Sequence, residues 1–129
     1  MDATHPCPCG RGEPYGACCL PLHDGAAAPT AERLMRSRYS AFALGLGDYL
    51  LSTWDPSTRP DSLELDPTIA WRRLFVEAVE AGGPFDREGR VTFTAVARTP
   101  GGRLEQRERS SFSRAEDGRW VYVDGEEPA

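Results

Sequence analysis

Residues 90–114 read RVTFTAVARTPGGRLEQRERSSFSR, and this stretch decides the fold class. In Arg90–Arg98 the apolar side chains Val91, Phe93, Ala95 and Ala97 fall on one parity, the period of a half-buried strand. Leu104–Arg114 is a second β-rich run. Its Glu105, Arg107, Arg109 and Ser111 make a solvated face, so Leu104, Gln106, Glu108, Ser110 and Phe112 turn inward. Pro100-Gly101-Gly102 between the runs sets a tight antiparallel connection. The inward face is unusually polar on one strand and small on the other, which leaves room for a pocket in front of the sheet.

Working outward, Trp71–Glu80 and Arg119–Asp124 are also β-rich, set off by Gly82-Gly83-Pro84 and Glu116-Asp117-Gly118. Upstream the period changes. Thr30 is suited to cap a helix beginning Ala31-Glu32-Arg33, in which Met35, Tyr39, Phe42 and Leu46 form one apolar stripe with Arg33, Arg36, Ser37 and Ser40 opposite. Asp48 can cap a second short helix, Tyr49–Trp54, which Asp55-Pro56 stops, and the prolines between Pro56 and Pro67 indicate a long surface loop. Helices segregated before antiparallel strands give an α+β domain, its helices on one face of a twisted sheet. In that arrangement Arg72, Gln106, Glu108, Ser110 and Tyr122 point from the sheet towards helices carrying Arg38, Tyr39 and Trp54. Glu108 then has two readings: a general base, or half of a buried ion pair with Arg38 or Arg72 that holds helix against sheet. Trp54 and Trp120 read as core aromatics.

With 129 residues, 40% hydrophobic and 27% charged, the chain is neither a disordered tail nor a membrane protein. All 15 basic residues are arginine, which excludes titratable lysine chemistry. A net charge of −5, with arginines interleaved among Asp and Glu, disfavours non-specific binding to nucleic acid. No apolar run approaches the ~18 residues of a membrane span, and the polar, Cys-rich N-terminus lacks the apolar core of a secretory signal. A cytoplasmic protein is expected.

Residues 1–25 hold all four cysteines, both histidines and almost no aliphatic side chains, so something other than burial must fold them. Cys7-x-Cys9 and Cys18-Cys19 allow three disulfide pairings, but neither spacing favours an unstrained local bridge. The alternative is four thiolates around Zn²⁺, a closed and therefore structural site. Gly10, Gly12 and Gly16 let the loop turn, and Pro6, Pro8 and Pro14 stiffen it. With four thiolates sufficient, His5 and His23 read as solvated imidazoles.

These residues resemble the SEC-C motif, a short zinc-binding module: Cys7, Cys9, Cys18 and Cys19 match its ligand spacing, and Gly10, Gly12, Pro14 and Tyr15 its loop. Arg11 and Glu13 stand where Ser and Lys are usual. The resemblance continues through residues 29–32, 34–42, 49–50, 53–54 and 118–125, which look like the uncharacterised bacterial YchJ family. It implies a zinc module over residues 1–25 and, over 26–129, a domain similar to the nuclear-transport-factor-2-like (cystatin-like) cone, helices packed on a curved antiparallel sheet. Two functions are consistent with this: a zinc-stabilised adaptor with a protein partner on its module and a protein- or small-molecule-binding surface in its cone, or a small isomerase- or cyclase-like enzyme using Glu108. Dimerisation through the outer sheet face is a third expectation.

Overall fold

The alternation in the second half of the chain resolves, in a computed structural model that describes residues 2–128, into four strands. They are β1 (Ala70–Ala81), β2 (Glu88–Thr99), β3 (Gly102–Arg114) and β4 (Trp120–Glu126). They form one antiparallel sheet in the order β1-β2-β3-β4. The register of β2 on β3 runs unbroken from Glu88↔Ser113 to Thr99↔Gly102, but of the β3 residues expected inward only Glu108, Ser110 and Phe112 are covered, Leu104 and Gln106 being exposed towards the Pro100–Gly102 turn. Glu77, Thr94 and Arg107 mark the outer face: Arg107 Nε donates to Glu77 at 2.7 Å and Thr94 to the same carboxylate oxygen at 3.2 Å, with Glu77 and Arg107 exposed and Thr94 half-buried.

Three helices precede the sheet: α1 (Leu20–His23), α2 (Ala31–Leu44) and α3 (Gly47–Ser52), with a 3-10 turn at Tyr15–Ala17. Thr30 caps α2 as expected, its hydroxyl accepting from the Arg33 amide at 3.1 Å, and Gly45 ends it in the left-handed conformation at φ 75°. The second helix starts earlier than the sequence suggests. Leu46 is its N-cap and Asp48 sits inside its first turn, where a carboxylate favours the helix dipole without capping.

Helix α2 is the spine of the molecule. Leu34 and Met35 pack with Val91, Phe112 and Trp120 in the core, and Leu22 of α1 joins the same cluster. Full burial of a side chain such as Leu34 contributes about 1.5–3 kcal/mol. Ser37 and Ser40, expected on the outer side of α2, are fully buried. The cause is a long-range contact that local periodicity does not carry: α3 covers Ser37, whose hydroxyl lies 2.7 Å from Tyr49 Oη, and the cysteine segment covers Ser40. Residues 2–25 thus fold against the rest of the chain. After α3 the backbone pairs with β4, the Asp55 amide donating to the Tyr122 carbonyl (2.7 Å) and the Tyr122 amide to that of Thr53 (2.8 Å), which sets Trp54 across Tyr122. No helix among the described residues is long and apolar enough to cross a membrane.

Candidate functional site

The cysteine segment is built as a knuckle. The amide of Cys7 donates to the carbonyl of Glu13 (2.9 Å) and that of Tyr15 to His5 (2.8 Å), while Gly10 and Gly12 turn the chain at φ 75° and 97°, where side chains are strained. Cys18 and Cys19 then lead into α1. The four Sγ atoms all lie within 4.8 Å of one another and all four residues are buried, with Cys9 and Cys18 3.6 Å apart and Cys18 and Cys19 3.9 Å apart. Tetrahedral coordination with ~2.3 Å metal–sulfur bonds separates its sulfurs by about 3.8 Å. These spacings fit a metal ion. They do not fit disulfides, whose sulfurs are ~2.05 Å apart, and the four thiols are free.

Helix α2 supplies the surroundings. The Ser40 hydroxyl donates to Cys19 Sγ at 3.3 Å and lies 3.6 Å from Cys7 Sγ. Arg36 and Arg33 donate to the carbonyls of Cys9 (3.0 Å) and Cys18 (3.2 Å), and Arg11 reaches Cys18 Sγ at 3.9 Å. Arg36, read from the sequence as belonging to a solvated face, instead spans from Glu32 to this loop. With no cation the thiols contend for charge: hydrogen bonds from Cys19 and then Cys9 hold Cys7 well below the ordinary thiol range, and contact with Cys7, then Cys9, pushes Cys19 far above it. A divalent cation is what allows four thiolates to coexist.

Across α2 lies a cavity of about 220 Å³ between helix and sheet. Met35, Tyr39, Phe42, Trp71, Phe93 and Phe112 give it apolar and aromatic walls, and Arg38, Gln106, Glu108 and Ser110 are its polar groups. Arg38 is 6% exposed. Its Nη1 donates to the Leu50 carbonyl and the Thr53 hydroxyl, both at 2.7 Å, and its guanidinium lies over the Tyr122 ring at 4.6 Å and the Trp54 ring at 5.1 Å. Burial lowers its pKa to about 10, so it stays cationic at neutral pH. Glu108 accepts from Ser110 at 2.5 Å and from Tyr122 Oη at 3.5 Å. Burial, then the nearby Glu108 carboxylate, pushes Tyr122 up to about 12 and keeps it a donor.

The description "YchJ, middle NTF2-like domain" matches residues 30–125. This chain belongs to the YchJ family. It is similar to UPF0225 protein SCO1677 of Streptomyces coelicolor, 55% identical over 124 residues that cover 95% of this chain and 96% of that protein. A UPF0225 protein of Chromobacterium violaceum is 52% identical, with 96% and 94% covered. Among solved structures, that of RPA3114 from Rhodopseudomonas palustris, a SEC-C motif containing protein, superposes with a TM-score of 0.82 at 36% identity over 95% of this chain and 98% of that one. A SEC-C motif containing protein from Psychrobacter arcticus gives 0.79 at 31% identity, covering 95% and 82%. The YchJ-like assignment and the α+β, nuclear-transport-factor-2-like fold read from the sequence are therefore correct.

The YchJ-family cavity gathers Arg38, Tyr39, Trp54, Gln106, Glu108, Ser110 and Tyr122. Arg72 is not among them. A register shift between Trp71 and Arg73 reverses the parity of β1, so Arg72 is exposed and Trp71, which the sequence reading did not single out, faces the cavity. The expected ion pair of Glu108 with Arg38 or Arg72 does not form either. Among the described residues no ion pair includes Glu108 or Arg38, and the Tyr122 side chain, its face against Arg38 and its hydroxyl on Glu108, connects the two. His5 is exposed as expected, but His23 is not solvated. Its ring nitrogens lie 2.6 Å from Tyr15 Oη and 2.8 Å from the Ser37 carbonyl, pinning the cysteine segment to α2. Its ring stands edge-on to Tyr49, a packing partner that spacing in a sequence does not reveal.

Proposed function

We propose that this YchJ-family chain is a zinc-dependent binding protein: Cys7, Cys9, Cys18 and Cys19 hold one structural Zn²⁺, and the cavity behind α2 receives a small molecule. Four buried thiols at tetrahedral spacing carry the reading. Soft thiolate donors in a closed four-ligand set favour zinc over the harder cations and leave no coordination position for a substrate. The metal's work is therefore to fold residues 1–25 onto α2, and the exposed loop Gly10–Pro14 is the face the module presents to a protein partner. Metal analysis of the chain, purified under reducing conditions, is expected to find about one zinc per chain. A chain that folds identically and takes up no zinc overturns the reading.

A further inference from the structure

Arg38 is a buried cation with no direct ion-pair partner among the described residues, the nearby Glu108 carboxylate being held off it by the Tyr122 side chain. Burying a guanidinium is costly unless it is paired, and no ion pair among the described residues includes Arg38. Two aromatic faces and two acceptors compensate it in part, but both hydrogen bonds leave from Nη1, so the donors on Nε and Nη2 have no acceptor among the described residues. On the same wall the indole N–H of Trp54 is buried and also has no acceptor. Beyond the Tyr122 ring, Glu108 offers a carboxylate whose donors come from Ser110 and Tyr122. The rest of the lining is aromatic and apolar.

We propose that the cavity binds a small aromatic monocarboxylic acid, its carboxylate on Arg38 and a hydroxyl or amino group at its other end facing Glu108. This rests on the small-molecule reading above. The single guanidinium matches one negative charge, and Glu108 close by repels a dianion such as phosphate. A planar body suits walls built from Tyr39, Phe42, Trp54, Trp71 and Phe93. A cavity of about 220 Å³ holds a single substituted ring.

The test is a ¹⁵N-resolved NMR titration of the full-length, zinc-loaded chain with 4-hydroxybenzoate, 4-hydroxybenzyl alcohol, benzoate and benzylamine. The expected result is that 4-hydroxybenzoate shifts the Trp54 indole and Arg38 side-chain signals and binds at least tenfold more tightly than the neutral alcohol, with benzoate intermediate and benzylamine weakest. Arg38→Gln is expected to abolish the preference for the acid. Should that variant fail to fold, Trp54→Phe, which keeps the ring and removes the N–H, is expected to weaken acid binding several-fold and leave the alcohol unchanged. Equal binding of acid and alcohol overturns the charge assignment and leaves a small-molecule cavity standing. No shift of cavity signals with any of the four compounds overturns both.

Discussion

The two faces of α2 are finished differently. Towards the cysteines, Ser40 serves Cys7 and Cys19, Arg36 and Arg33 serve the carbonyls of Cys9 and Cys18, and both nitrogens of His23 are engaged, the buried Nε of Arg33 being left unmatched. Towards the sheet, Arg38 keeps unused donors and Trp54 an unmatched N–H around an open volume. Polar groups saturated by their own chain rigidify a structure, whereas buried polar groups left unmatched cost stability and mark where a ligand completes the set. Tyr39 packs in one cluster with the four cysteines and also lines the cavity, so a single helix contacts both regions.

Breaking the saturated side is expected to have the largest effect. Chelation of the metal, or Cys19→Ala, is expected to remove at least ~3 kcal/mol, about 10 °C or more in Tm, because residues 1–25 lose the coordination that orders them. Differential scanning calorimetry with and without chelator checks this. Acid acts in the same direction: protons displace metal from thiolates, so zinc release followed with a chromogenic chelator is expected to rise as pH falls and to reverse as it is restored.

The cavity side is expected to respond less. Gly125 lies against the Glu108 carboxylate closely enough that an added Cβ would occupy its place. Gly125→Ala is therefore expected to displace the flexible end of Glu108 at a cost of about 1 kcal/mol or less, read as a changed environment for the Tyr122 hydroxyl, with the zinc content intact. Thr30→Ala, which removes the cap common to both faces, is expected to cost about 1 kcal/mol in urea denaturation. Glu77→Gln on the solvated outer face is expected to leave Tm unchanged.

How much was legible in the sequence follows the same division. Strand parity located Gln106, Glu108 and Ser110 because β3 pairs with β2 without a bulge, and it failed at Arg72 because β1 carries one. The stripe on α2 found Met35 and Tyr39, whose burial follows from period alone. The contacts of Ser37, Ser40 and Arg36, placed only opposite the apolar stripe, and of His23, read as solvated, were not legible because their partners come from other segments and no local pattern announces them. The cysteine cluster was readable because thiolate chemistry constrains residue type and spacing together. Trp71 was hidden by the same register shift that expelled Arg72.

Native mass spectrometry of the reduced chain reads the central claim most directly. The account expects one zinc ion on each copy of the wild-type chain and none on Cys9→Ser/Cys19→Ser. Wild-type protein that remains folded with zinc absent, or a double variant that keeps zinc at the same stoichiometry, would contradict it.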